Sequence, residues 1–134
     1  MAALVNVEGI GEVYADKLAQ AQIGTTQNLL KQGATRKGRR EIAKLSGIKE
    51  RQILDWVNKA DLFRVHGIGE EYSDLLEASG VDTVAELAQR NADHLYDSME
   101  EVNTKRQLVR RLPPLSAIKQ WISQAKKLPR VVEY

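Results

Sequence analysis

Apolar residues along this chain recur at intervals of three and four, the spacing of one face of an α-helix. Ala15, Leu18 and Ala19, with Tyr14 offset, mark a first helix opened by Glu12 and closed near Gln22-Ile23-Gly24, where Gly24 is the expected stop. Thr25 or Thr26 caps a second, which carries Leu29 and Leu30 and ends at Gly33. A third runs from Arg36 with Ile42 and Leu45 and closes at Ser46-Gly47-Ile48. A fourth carries Ile53, Leu54, Trp56 and Val57. Further along, Thr83-Val84-Ala85-Glu86 is a capping box before Leu87. Helices are expected over 91–102 and 105–112, and a last one over 115–127 with Ile118, Trp121 and Ile122. Pro113-Pro114 and Pro129 interrupt, because proline lacks the amide and clashes with the preceding turn. Residues 1–5 have room for about one helical turn, and Val131-Val132-Glu133-Tyr134 reads as a short extended tail. No stretch reads as a strand, so the expected class is all-α.

The pattern also repeats. Val7-Glu8-Gly9-Ile10-Gly11-Glu12-Val13-Tyr14-Ala15-Asp16-Lys17-Leu18 returns as Val65-His66-Gly67-Ile68-Gly69-Glu70-Glu71-Tyr72-Ser73-Asp74-Leu75-Leu76, with a constant offset of 65 − 7 = 58. Thr83 stands at the place of Thr25 on the same offset, and Trp121 matches Trp56 at 121 − 56 = 65, so the second copy carries seven extra residues. Internal repetition of this kind means one supersecondary unit used twice. The expected division is 1–62, 63–128 and a C-terminal tail of 129–134. A unit of about 60 residues buries a marginal core alone, so the halves are expected to pack together.

Composition narrows the class without naming a function. Of 134 residues, 43% are hydrophobic and 28% charged, a globular balance. There is no cysteine, hence no disulfide framework and no thiolate metal site. No leader pattern and no membrane-length apolar run is visible, so the expectation is a cytoplasmic protein with no membrane partner. The net charge is only +2, but charge comes in blocks. Residues 36–51 hold Arg36, Lys37, Arg39, Arg40, Lys44, Lys49 and Arg51 against Glu41 and Glu50. Residues 70–101 hold ten acids and one cation, Arg90. Residues 102–132 hold no acid against Lys105, Arg106, Arg110, Arg111, Lys119, Lys126, Lys127 and Arg130. Such blocks make either basic patches or solvated faces that neutralise one another.

Val7-x-Gly9-Ile10-Gly11-x-x-x-Ala15-x-x-Leu18 and Val65-x-Gly67-Ile68-Gly69-x-x-x-Ser73-x-x-Leu76 fit the helix-hairpin-helix pattern. Ser46-Gly47-Ile48 is a weaker hairpin, and Pro113-Pro114-Leu115-Ser116 a degenerate one. The chain resembles the paired helix-hairpin-helix domains of recombinases, of transcription-elongation factors, and of the C-terminal region of the RNA polymerase α chain. It is similar over nearly its full length to an uncharacterised bacterial family built of two such paired domains. Gly67-Ile68-Gly69-Glu70-Glu71-Tyr72, Gly80-Val81-Asp82-Thr83-Val84, Leu108-Val109-Arg110-Arg111-Leu112-Pro113 and Leu128-Pro129-Arg130-Val131-Val132 carry that likeness. It implies a tandem duplicated, SAM-like helix-hairpin-helix fold. The relatives divide between DNA binding and protein binding, and such hairpins are implied to hold monovalent cations through carbonyls in some cases.

A hairpin that opens a helix presents unpaired amides at a positive dipole end, a natural phosphate site. By that logic Gly9, Ile10, Gly11, Gly47, Ile48, Gly67, Ile68 and Gly69 are candidate contacts. Glu12, Glu70 and Glu71 argue against the two full hairpins, since a carboxylate there competes for the amides and repels phosphate. The candidate nucleic-acid residues are therefore Arg36, Lys37, Arg39, Arg40, Lys44, Gly47, Ile48, Lys49, Arg51, Lys105, Arg106, Arg110 and Arg111. Gly9, Ile10, Gly11, Gly67, Ile68 and Gly69 are hairpin turns. Catalysis has little support: His66 and His94 share no ligand spacing, Ser73 replaces Ala15 as a small packing residue, and Asp16 and Asp74 each lie one turn past a glutamate. No metal and no cofactor is expected. Trp56 and Trp121 are core anchors, and Tyr14 and Tyr72 are expected to pack rather than stack on a base. The expectation is a non-enzymatic protein that binds DNA without sequence preference. The runner-up is a protein-interaction adaptor that uses the acidic 70–101 face, or the tail as an added strand.

Overall fold

The computed structural model describes residues 3–7 and 9–134; Met1, Ala2 and Glu8 lie outside the described residues. A 3-10 turn (Leu4–Asn6) precedes eight α-helices among them: α1 (Glu12–Gln20), α2 (Thr26–Gly33), α3 (Arg36–Ser46), α4 (Glu50–Leu62), α5 (Glu70–Ala78), α6 (Val84–Ala88), α7 (Ala92–Arg106) and α8 (Leu115–Lys127). Among the described residues no strand forms; Ala3 and Thr25 make one isolated bridge. The fold is all-helical. The chain divides into two compact units, Met1–Asp61 with Val131–Tyr134, and Leu62–Arg130.

In the first unit α1 and α2 each pack on α3. The core is built from Leu18, Ile23, Leu29, Ile42, Ile48, Ile53, Trp56 and Val57. Thr25 caps α2, its hydroxyl accepting from the Asn28 amide at 3.1 Å. Thr35 caps α3 in the same way, accepting from Gly38 at 3.0 Å. α3 ends where Gly47 turns left-handed (φ 76°) and donates to Ala43. Leu45 does not join the core. It is 59% exposed, because the buried stripe of α3 runs through Arg39, Ile42 and Ser46.

In the second unit α8 packs on α6 and α7, and α7 on α5. Leu75, Leu76, Val81, Leu87, Leu95, Met99, Ile118 and Trp121 are at the centre. Thr83 caps α6: its hydroxyl accepts from the Glu86 amide at 3.4 Å and donates to the Glu86 carboxylate at 3.3 Å. The two side chains thus meet directly, where the expected capping box runs from the carboxylate to the Thr83 amide.

Three further sequence expectations fail, two for local reasons and one through contacts remote in sequence. There is no helix over 105–112. α7 instead continues to Arg106 and stops where Gln107 turns left-handed (φ 50°). The Asn103 side chain then holds the following loop, accepting from the Val109 amide at 3.0 Å and donating to its carbonyl at 3.2 Å. Gly24 does not end α1; the left-handed residue there is Gln22 (φ 64°), two positions earlier. Residues 131–134 do not stand apart as a tail: they belong to the first unit, with Val132 buried at 2% exposure and Glu133 and Tyr134 exposed.

The seven extra residues are spread over the second copy. α7 has fifteen residues against eleven in α3, and the loop after it spans 107–114 against 47–49. α6 has five residues against eight in α2, which returns part of the difference.

Candidate nucleic-acid interface

The Gly-Ile-Gly turns are built alike in the two units. Gly9 and Gly67 are left-handed, with φ 90° and 98°, a conformation open to glycine at little cost. What they admit is a tryptophan. A Cβ on Gly9 would stand 3.2 Å from Trp56 Nε1, and one on Gly67 would stand 2.9 Å from Trp121 Nε1. The matched tyrosines complete each site: Tyr14 meets Trp56 and Tyr72 meets Trp121, both with centroids 5.3 Å apart in tilted, edge-like geometry. Pairs of this kind add ~0.5–1.5 kcal/mol beyond their burial. Ile10 and Ile68 are buried, each donating its amide to the valine three residues back. The close approach these turns allow is thus filled from within each unit.

Gly11 and Gly69 differ from their partners. They start α1 and α5, carry ordinary negative φ, supply no side-chain cap, and would place a Cβ in open space, with nothing within 4 Å. The N-cap glycines therefore leave the first amides of these helices without a capping side chain. Glu12 stands in the first turn of α1, and Glu70 and Glu71 in that of α5, all exposed. The acids suit the positive helix end and oppose phosphate there. In the second unit the turn is further fixed by Gln124, which accepts from the His66 amide at 2.9 Å and donates to its carbonyl at 3.2 Å. Ser73 is buried and donates to the Glu70 carbonyl at 2.8 Å, as a packing residue does.

At Ser46-Gly47-Ile48 the amides are spent. Gly47 donates to Ala43 at 2.9 Å, and Ile48 donates to Ser46 Oγ at 3.2 Å. The Ile48 side chain is buried. Gly47 and Ile48 therefore do not offer amides to a phosphate, contrary to the sequence expectation.

The basic block separates into two kinds of residue. Arg36, Lys37, Arg40 and Lys44 are exposed on α3, with Lys49 and Arg51 exposed beside the following turn. Positions 37, 40 and 44, and 36 and 40, fall three and four apart, so these cations share a face. No ion pair engages any of the six among the described residues. Arg39 is different, being 5% exposed. Its Nη1 donates to the carbonyls of Gly33 (2.8 Å) and Ala34 (3.1 Å), and its Nη2 to that of Glu133 (2.6 Å). Burial, and then the nearby Arg36, hold its pKa below the ordinary arginine value. Arg39 is a structural clamp, not a phosphate contact. Its helical phase carried that signal: 39, 42 and 46 lie on one stripe, and the other cations do not.

In the second unit Lys105 pairs with Glu101 at 3.4 Å, both well exposed. Arg106 ends α7, and Arg110 and Arg111 lie exposed in the loop over 107–114. The Arg111 carbonyl accepts from Tyr72 Oη at 3.4 Å. Arg110 lines a cavity of about 540 Å³ together with Glu71, Asn103, Gln107, Leu108 and Val109. Acids from outside this stretch stand beside two of these cations, Glu101 at Lys105 and Glu71 at Arg110, whereas the one acid on α3 is Glu41.

A family described as Domain of unknown function (DUF4332) matches residues 8–128. The chain belongs to this family. No curated protein and no solved structure matches it. The match spans both Gly-Ile-Gly turns, both tryptophans and the whole of α3, and it stops short of residues 131–134. Among the described residues no group of three or more His, Asp or Glu side chains is placed to hold a metal ion. No helix among them is long and apolar enough to cross a membrane.

Proposed function

We propose that this member of the family is a non-catalytic, tandem duplicated helix-hairpin-helix protein that binds the phosphate backbone of DNA without reading sequence. One observation carries the reading: four exposed cations share a face of α3, and no ion pair engages them among the described residues. That arrangement works against the helix. Arg36 and Lys37 occupy the first turn, at the positive dipole end, where acids belong. Arg36 and Arg40, and Arg40 and Lys44, are like charges at i,i+4, each costing ~0.2–0.5 kcal/mol. A surface that breaks a local rule without a compensating contact is where function is expected. A row of cations spaced about 6 Å apart suits phosphate, and contacts to phosphate position a protein on a duplex without specifying bases. Lys49 and Arg51 extend the face, and the cations at Lys105, Arg106, Arg110 and Arg111 form a weaker second contribution. The duplicated Gly-Ile-Gly turns act as scaffold that fixes the helices.

Fluorescence anisotropy with duplex and single-stranded DNA at low and moderate salt tests the reading. Four phosphate contacts give a log–log salt slope of about −3.6 on duplex. Arg40→Ala with Lys44→Ala should weaken binding at least tenfold and flatten the slope by about two. Glu70→Ala should leave it nearly unchanged. Absence of binding at both salts sinks the proposal. The second reading, a protein adaptor, is favoured by the exposed acids Glu70, Glu71, Asp93, Asp97, Glu100 and Glu101 of α5 and α7, which suit a basic partner.

A further inference from the structure

Residues 131–134 are held by the first unit in the manner of a bound peptide. The backbone of Glu133 is read at both ends: its amide donates to the Ala34 carbonyl at 2.7 Å, and its carbonyl accepts from Arg39 Nη2 at 2.6 Å. Val132 is buried at 2% exposure. Tyr134 Oη donates to Oδ1 of the buried Asn58 at 3.3 Å. Arg39 Nη1 is fixed on the Gly33 and Ala34 carbonyls at the end of α2, which leaves Nη2 for the Glu133 carbonyl. Main-chain contacts of this kind bind without regard to sequence, and side-chain pockets then supply the preference.

We propose that the α2–α3 corner of the first unit is a binding groove for an extended peptide, which residues 131–134 fill in cis. The class of ligand follows from the contacts. It is an extended segment with a β-branched residue for the Val132 pocket, a following residue gripped through its backbone, and an aromatic residue at the Tyr134 position. An acidic residue suits the middle position, since Arg36, Arg39 and Arg51 line a cavity of about 340 Å³ beside it with Glu50, Leu54 and Tyr134. The tethered segment competes at an effective concentration on the millimolar scale. It therefore keeps the groove closed to free peptides until it is displaced. The proposal does not rest on DNA binding.

The test uses the full chain carrying Val132→Asp, which expels the resident segment, and a labelled peptide of residues 128–134, Leu-Pro-Arg-Val-Val-Glu-Tyr. The peptide should bind the variant, and bind the native chain at least tenfold more weakly. A peptide carrying Val132→Asp should not bind the variant. Arg39→Lys in the same background keeps the charge, loses the fork, and should weaken binding at least tenfold. A variant with native helical circular dichroism that takes up no peptide overturns the proposal. Amide exchange on the native chain gives a second test that needs no variant. The Glu133 amide should be protected by at least tenfold, and exchange at the free-chain rate overturns the proposal.

Discussion

α3 and α7 follow the two Gly-Ile-Gly copies in corresponding places, yet they treat charge in opposite ways at their starts, though both carry cations in the last turn. α7 obeys the helix dipole: Asp93 stands in its first turn, Lys105 and Arg106 in its last, and Lys105 is paired to Glu101. α3 has Arg36 and Lys37 in its first turn, no acid there, and among the described residues no ion pair for its exposed cations. The turns before them are the same to within a few tenths of an ångström at the tryptophan contact. The two copies thus share their packing and diverge in surface charge. Packing at those turns answers to the fold. The cations in the first turn of α3 are unfavourable within the helix, while Lys44 in its last turn suits the dipole.

The shared part breaks most easily at its anchors. Trp56→Ala and Trp121→Ala each remove a buried indole together with its tyrosine contact, and each should cost ~3–5 kcal/mol in denaturant unfolding. Similar losses support one common anchor; a loss below ~1 kcal/mol at either site means that the copies are held differently. The glycines beneath them come next. Gly67→Ala meets Trp121 Nε1 at 2.9 Å in a left-handed backbone and should cost ~2–4 kcal/mol. Gly9→Ala has 3.2 Å to Trp56 and should cost ~1–3 kcal/mol, the smaller of the two.

Much of this was readable in the chain because it depends on local chemistry. Glycine at a left-handed turn, threonine at Thr25 and Thr83 as caps, and a tryptophan returning in register all act over a few residues. What escaped depends on contacts remote in sequence or on one residue overruling a propensity. Arg39 counts as surface charge until its phase with Ile42 and Ser46 is followed. Its partner Glu133 is 94 residues away, and no local pattern announces that pairing. The end of α7 is set by the Asn103 grip on Val109, where propensity alone favours another helix over 105–112. At the candidate interface, the exposed cations of α3 were legible. The loss of Arg39 showed only in its phase with Ile42 and Ser46, and that of Gly47 and Ile48 was not legible, since both are withdrawn by hydrogen bonds that only the folded chain makes.

The divergent part is sharpened by exchanging charge. Arg36→Glu with Lys37→Glu places acids at the positive end of α3 and should raise stability by about 1 kcal/mol, while abolishing the proposed DNA binding. A gain in stability with a loss of binding is the trade expected where surface charge serves a partner. Asp93→Lys in α7 should do the reverse to stability, lowering it by ~0.3–1 kcal/mol. If the α3 exchange lowers stability instead, its cations have internal roles and the contrast between the helices fails.

The smallest effect lies at a turn in the first half of each copy where different residues take the same backbone. Gln22 and Gly80 are equivalent on the 58-residue offset, and both are left-handed, at φ 64° and 92°. A non-glycine residue in that conformation is disfavoured by ~1–2 kcal/mol. Glycine returns part of the difference through the greater freedom of its unfolded chain. Gln22→Gly should therefore stabilise the protein by only about 0.5 kcal/mol. Gly80→Gln should destabilise it by a similar amount, because a Cβ there has 3.7 Å to the nearest atom, Arg90 Nη1, and meets no clash. Gln32 Nε2 reaches the Gln22 carbonyl only at 3.5 Å, too long to hold the turn by itself. Equal and opposite shifts in the two copies would show that this turn is governed by backbone conformation alone. A loss on Gln22→Gly would show instead that the glutamine side chain has a role the second copy lacks.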